Sequence, residues 1–252
     1  MEVMRKPFQG VLNIIRFNWH YYIIAFVLVT IILLAANKLG NPIQIPIYFL
    51  SFLISVSVLA SLLFSFYVYD LSGLYNLAWV KQSGAESLIV NINAGFDETS
   101  ELLLNKFKST ELIALDFYDP KKHTEVSIKR ARKAYPPFSN TKQITTNRLQ
   151  LADNSADKIF VILSAHEIRK NNERIIFFKE LKRVVKPNGQ IYITEHLRDM
   201  PNFLAYNIGF LHFYSKRIWL TTFNAAGLKI KEELKITPFI STFILHKNGN
   251  TI

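Results

Sequence analysis

Cysteine is absent from this 252-residue chain, which excludes disulfides, thiolate metal centres and a nucleophilic thiol. Acidic residues are scarce: 19 Asp and Glu stand against 30 Lys and Arg, for a formal net charge of +11. Most of that excess, +9, lies beyond residue 80, where 26 basic groups face 17 acidic ones. Apart from residues 121–133, the basic groups form no compact stripe interleaved with aromatics, which argues against a nucleic-acid surface. Repeats, low-complexity tracts and long Ser- or Gly-rich linkers are also missing, so solenoids and tethered modules are excluded. Ser83 and Ser164 lack the neighbours of a nucleophile elbow. The six histidines are scattered without ligand spacing, so the sequence reads as having no metal site.

Charge of either sign is missing altogether from residues 17–37 and from residues 39–69. Each run exceeds the roughly 20 apolar residues that cross a bilayer core. Trp19, Tyr21 and Tyr22 flank one run and Phe66, Tyr67 and Tyr69 the other, as in the aromatic belts of membrane proteins. The connection carries Gly40 and Pro42 and is short enough only for a tight hairpin. The expectation is a membrane anchor over 1–70, with transmembrane helices at about 17–37 and 46–69. A cleaved signal peptide accounts for the first run only, and two core helices of a soluble bundle would each need a polar face that neither shows. Arg5, Lys6 and Arg16 precede the first run and only Lys38 lies between the two. The positive-inside rule therefore places both termini and the remaining domain in the cytoplasm of an integral membrane protein. A basic domain tethered there is drawn to the anionic lipid bilayer surface.

Residues 157–195 carry the clearest folding pattern. A β-branched apolar run at 158–163 reads as a buried strand. Apolar residues at helical spacing follow, from Ile175 to Val185, and Pro187–Asn188–Gly189 is expected to stop the helix and turn the chain. A second strand at 190–194 ends on Glu195 and His196. Strand, helix, strand within about forty residues is one βαβ unit of a parallel sheet, and ligands bind beyond the carboxyl ends of such strands. His166, Glu167, Glu195 and His196 therefore fall on the ligand-facing rim.

The stretch ELKRVVKPNGQIYITE (180–195), preceded by DNSADKIFVILSAHEI (153–168), resembles the class I S-adenosylmethionine-dependent methyltransferase family. The resemblance covers about two-thirds of the chain and implies an α/β, Rossmann-like sheet over residues 71–252 behind the N-terminal transmembrane hairpin. It also implies S-adenosyl-L-methionine as cofactor. The family's acidic residue and Gly-x-Gly-x-Gly loop map onto Asn91-Ile92-Asn93-Ala94-Gly95-Phe96-Asp97, where only the middle glycine, Gly95, is kept. Asn93 tolerates left-handed backbone, and the Asn91 amide offers an acceptor without a full charge. The resemblance further assigns ribose contact to Asp116, which as a bland alternative caps the next helix. It assigns adenine packing to Phe117, neutral hydrogen bonds to Asn147 near the place of a missing adenine-binding acid, and the strand-four rim to Ser164. Tyr75 stands where the family closes over its cofactor. Lys129, Arg130, Arg132 and Lys133 read as a solvated or lipid-facing surface.

His166 is the candidate catalytic residue, able to bind an acceptor or act as a base near neutral pH. Its alternative is a structural histidine, with Glu167 paired to Arg169 or Arg198. Residues 197–219 are crowded with aromatic and apolar side chains. They supply an acceptor pocket involving Glu167, His196, Arg198, Tyr206 and His212, or they dock the domain on the membrane. The leading expectation is a membrane-anchored methyltransferase of a hydrophobic small-molecule acceptor, quinone-like or lipid. The alternative is a non-catalytic methyltransferase-like membrane scaffold, motivated by Asn91, Asn93, Asp97 and the missing adenine acid. A nicotinamide-linked dehydrogenase needs more of the glycine pattern than Gly95.

Overall fold

The computed structural model describes residues 5–247. Two long helices, α1 (Gln9–Ala36) and α2 (Asn41–Phe66), form an antiparallel hairpin joined by four residues. The second helix starts at Asn41, ahead of the expected 46, because Pro42 sits in its first turn, where the missing N–H costs nothing. The start of α1 is capped from the far end of the hairpin. Asp70 accepts from Gly10 N at 2.7 Å and Val11 N at 2.8 Å, satisfying donors that have no intrahelical partner. Beyond His20 the hairpin is predominantly apolar on every face, with Ile24, Phe26, Leu34, Ile45, Phe49 and Leu63 exposed.

The rest is one seven-stranded sheet in the order β3-β2-β1-β4-β5-β7-β6. Its strands are β1 (Leu88–Asn93), β2 (Glu111–Asp116), β3 (Lys142–Gln143), β4 (Ala156–Ile162), β5 (Val185–His196), β6 (Lys229–Thr237) and β7 (Ile240–His246). The first five run parallel and β7 inserts antiparallel between β5 and β6. Helices α3 (Ser100–Lys106), α4 (Val126–Ala134), α5 (Asn171–Val184), α6 (Met200–Tyr206) and α7 (Lys216–Ala225) complete the fold. One sheet face packs Phe177, Phe178, Trp219 and Phe223 against Val161, Ile193 and Phe243. The other packs Leu77, Val80, Leu103 and Phe107 against Phe160 and Tyr192. Val68, Leu74, Ala205, Phe239 and Ile240 form a third cluster that fastens the hairpin's end to the sheet.

Two expected elements differ. The helix α5 ends at Val184, and Pro187–Asn188–Gly189 falls within the span of β5 as a bulge rather than as a separate turn: Val185 pairs with Ala156 and Gln190 with Lys158, so three extra residues of β5 are left out of the ladder. A residue before proline is driven out of the helical region, so the chain straightens ahead of Pro187. Gly189 passes so close to β4 that a Cβ there would stand 2.8 Å from the Asp157 carbonyl. The third strand, expected over 141–148, pairs for only two residues. Thr145 Oγ1 donates to Asn147 Oδ1 at 2.6 Å, and this local bond, with the Thr145–Arg148 bridge, replaces the ladder.

Candidate functional site

A cavity of about 260 Å³ opens at the carboxyl ends of β1, β4 and β5. Its floor is Asn93, Ala94, Ile162 and Ser164; His166, Glu167, His196 and His212 form one end. The opposite wall is α1, through Gly10, Asn13, Ile14, Phe17 and Asn18. The helix deviates at Asn18 (φ −117°, ψ 16°), and there Arg130 of α4 donates to the Phe17 carbonyl at 2.7 Å. Glu98 fixes the wall to the domain by accepting from Arg5 at 3.0 Å, Asn13 at 3.3 Å and Tyr75 Oη at 2.8 Å. Sequence reasoning missed Asn13, Phe17 and Glu98, since only tertiary contact brings α1 to the sheet. Tyr75 lines the cavity as well.

At the degenerate loop, Asn91 turns its amide nitrogen toward Thr99 Oγ1 (2.9 Å), Ser100 Oγ (2.8 Å) and Asp97 Oδ1 (3.3 Å). Asn93 Oδ1 accepts from Gly95 N at 2.9 Å, and Gly95 takes φ +99°, a conformation costly for any side chain. Asp97 Oδ1 accepts from Thr99 N and Ser100 N, at 3.0 and 2.9 Å. Three buried polar atoms are left without partners here: Asn91 Oδ1, Asn93 Nδ2 and Asp97 Oδ2. Buried groups of this kind are normally satisfied. Two acceptors and one donor fit the ammonium and carboxylate of an amino-acid moiety, and Asp97 carries the negative charge that Asn91 lacks. In donor and acceptor type this set fits the amino-acid end of S-adenosylmethionine, although only Asn93 lines the cavity, with Asn91 and Asp97 lying behind it.

At the β2 edge, Asp116 is almost fully buried. Its Oδ1 accepts from Tyr118 N at 2.8 Å and its Oδ2 from Arg132 at 2.6 Å. Arg132 also donates to the Gly95 carbonyl at 3.2 Å, so it and Arg130 are not the solvated surface expected of α4. Phe117 is likewise corrected. Its ring points into the core against Phe177, at 5.6 Å, while Tyr118 lies beside Gly95 and under Arg132. Asn147 is exposed in its turn and does not border the cavity. Ser164 borders it, but its hydroxyl donates to the Ile92 carbonyl at 3.0 Å and holds β1 to β4.

The polar end is a charge cluster. Glu195 is fully buried; its Oε2 lies 2.7 Å from His166 Nδ1, and its Oε1 accepts from His166 N at 3.2 Å. His166 Nε2 is 3.2 Å from Glu167 Oε1. Burial by itself lowers the His166 pKa, but Glu195 and Glu167 outweigh it and push it up to about 10. The ring thus holds a proton at neutral pH, unlike the free base expected near neutrality. Burial raises the Glu167 carboxyl, and His166 and His212 more than reverse this, leaving it well below the usual range. His196 is pushed down to about 4, chiefly by burial. It is a neutral ring held between Tyr69 Oη at 2.8 Å and Asn202 Oδ1 at 3.0 Å. Arg198 does not reach the cavity, because the carbonyls of Phe213 (2.8 Å) and Leu211 (2.5 Å) take its donors. Tyr206 sits behind His196, edge-on at 5.2 Å.

Residues 90–193 match the family Methyltransf_11, a methyltransferase domain. Among solved structures, the chain is similar to the mitomycin 7-O-methyltransferase MmcR, with 14% identity over 97% of this chain and 74% of that one, and a TM-score of 0.54. A SAM-dependent methyltransferase from Aquifex aeolicus is 17% identical over 71% of this chain and 94% of that one, with a TM-score of 0.46. PigF, solved with SAH, is 13% identical over 67% and 58%, with a TM-score of 0.47. At such identities the likeness concerns the fold. No curated protein matches the chain.

Proposed function

We infer, from the premise that this chain is an S-adenosylmethionine-dependent methyltransferase with a class I domain, that its acceptor is a hydrophobic or amphipathic small molecule taken from a bilayer. One observation carries this reading: the apolar helix α1 is itself a wall of the cavity. The same helix continues outward as half of an exposed apolar hairpin, long enough to cross a membrane. A quinone-like or lipid acceptor partitioned in that membrane reaches the cavity along α1, past Phe17 and Phe96. Held there, it sits where strand ends and loop converge, and alignment with the cofactor's methyl supplies most of the rate.

The cofactor supplies the activated methyl group. We assign its amino-acid end to Asn91, Asn93 and Asp97, and its ribose to Asp116 once Arg132 swings aside. Gly95 gives the close backbone approach. His166, Glu167 and His212 meet the acceptor's polar head, with the proton-bearing His166 ring orienting it. His196 shapes this end as a neutral ring. In this reading both termini and the domain face the cytoplasm.

The test is label transfer. Protein reconstituted in liposomes is given methyl-labelled S-adenosylmethionine and a total lipid extract. The label is expected in the organic phase, falling at least tenfold with Phe17→Asp, which places a charge in the wall. Label appearing only in water-soluble acceptors would overturn the assignment.

A further inference from the structure

The sequence shows no metal-ligand spacing, yet the fold brings Glu167 and two histidines 46 positions apart to one point of the cavity. We propose that His166, Glu167 and His212 form a mononuclear site for a divalent cation of the zinc class, with its remaining coordination position open to the cavity.

Glu167 Oε1 lies 3.2 Å from His166 Nε2 and 3.4 Å from His212 Nε2, and the three ligand atoms all fall within 4.8 Å of one another. A tetrahedral shell with bonds of about 2.0–2.2 Å separates its ligands by about 3.3–3.6 Å. Two edges are thus close to the required length, and rotation of the partly exposed His212 ring closes the third. The two imidazoles stand 75° apart with centroids at 5.1 Å, so their nitrogens converge rather than stack.

Each imidazole also has a carboxylate behind it. The fully buried Glu195 holds His166 Nδ1 at 2.7 Å, and Glu125 stands 3.1 Å from His212 Nδ1. Carboxylates in this position orient a histidine through its Nδ1–H and raise its basicity toward a metal, which binds His166 by displacing the proton from Nε2. Three carboxylates surround the site, and the nearby guanidinium is Arg169. Its Nη2 lies 2.6 Å from His212 Nδ1 and 2.5 Å from Nε2. Arg169 is partly exposed, and it competes with the cation for His212, so a metal must displace it. Two nitrogens and one carboxylate suit zinc or cobalt, whereas magnesium and calcium favour oxygen shells. On the methyltransferase reading, the open position takes an oxygen of the acceptor. The binding itself does not depend on that reading.

The experiment uses full-length protein in detergent micelles, stripped with a chelator. Co2+ is titrated while the visible d–d absorption of a four-coordinate site is followed, and Zn2+ is then added in competition. One equivalent per chain is expected, displaced by Zn2+. Glu167→Gln and His212→Gln should each weaken binding at least tenfold, and Arg169→Ala should tighten it a few-fold. Circular dichroism melts establish folding, and His212, partly exposed at the end of the short 3-10 helix Asn207–His212, provides the informative variant should Glu167→Gln fail to fold. The proposal is overturned by folded wild-type protein without the absorption bands at saturating Co2+. It is equally overturned by bands that persist undiminished in the folded variants, or by weaker binding in Arg169→Ala. Because the readout is the metal alone, these outcomes leave the methyl-transfer assignment untouched.

Discussion

Asp116 has both carboxylate oxygens engaged, by Tyr118 N and by Arg132, and the same guanidinium reaches the Gly95 carbonyl. A ribose hydroxyl approaching Asp116 competes with a charge-assisted bond, which is about twice as strong as a neutral one. Arg132 is one-third exposed, so it has somewhere to go when displaced. Arg132→Ala is therefore expected to tighten S-adenosylhomocysteine binding by about tenfold, roughly 1.4 kcal/mol, while Asp116→Ala weakens it. Calorimetric titration of both variants decides the matter. Weaker binding in Arg132→Ala would mean that the arginine holds Asp116 in place for the ribose instead of blocking it.

Between elements, the amino edges of β1 and β4 are joined by a buried ion pair remote from the cavity. Glu86, just before β1, pairs with Lys158 of β4 at 3.2 Å and accepts from Ser83 N and Gly84 N. Burial raises its pKa, but these partners outweigh it and bring it from 4.5 down to about 2. A depressed carboxyl stabilises the fold at pH values above its unfolded pKa and ceases to do so as pH falls through its folded one. The shift corresponds to about 3 kcal/mol, complete above about pH 4.5 and lost toward pH 2. Glu86→Gln should lower the unfolding free energy at pH 7 by about that amount and flatten its decline between those values. Asp157, also brought to about 2 through Lys186 and the backbone around Ser87, leaves a residual slope. Denaturant titrations across that pH range measure both effects.

At the scale of the whole molecule, the hairpin is either a membrane anchor or an apolar surface in need of another cover. Monomeric soluble proteins rarely expose so large a contiguous apolar patch. The cysteine-free chain makes the topology directly measurable. Lys38→Cys, in the turn between α1 and α2, should react with a membrane-impermeant maleimide from the extracytoplasmic side of intact cells. Lys108→Cys, on the domain, should react only after permeabilisation. Equal labelling of both in intact cells would contradict the positive-inside assignment, and recovery of the protein in the soluble fraction would contradict the anchor itself.

The strand–helix–strand unit ending on Glu195 was legible because strands and helices impose periods of 2 and 3.6 on their apolar residues. The two hairpin helices were legible from length and missing charge, and the second strand, Glu111–Asp116, from its short apolar run and terminal acid. Local chemistry hid other features. A local bond from Thr145 to Asn147 replaced most of β3, and the Pro187–Gly189 segment became a bulge at the start of β5 instead of a separate turn. Phe117 and Tyr118 show how one residue decides which side of a strand end an aromatic faces, and no pattern in the sequence sets that choice. Pairings across long separations were decided by tertiary structure alone: Asp116 with Arg132, Glu98 with Asn13, and His212 with Glu167. Sequence determined the sheet, the hairpin and the rim, because these follow from periodicity and hydrophobicity along the chain. Only the fold decided that α1 walls the cavity and that two histidines share a carboxylate, since packing brings together groups that no local rule relates.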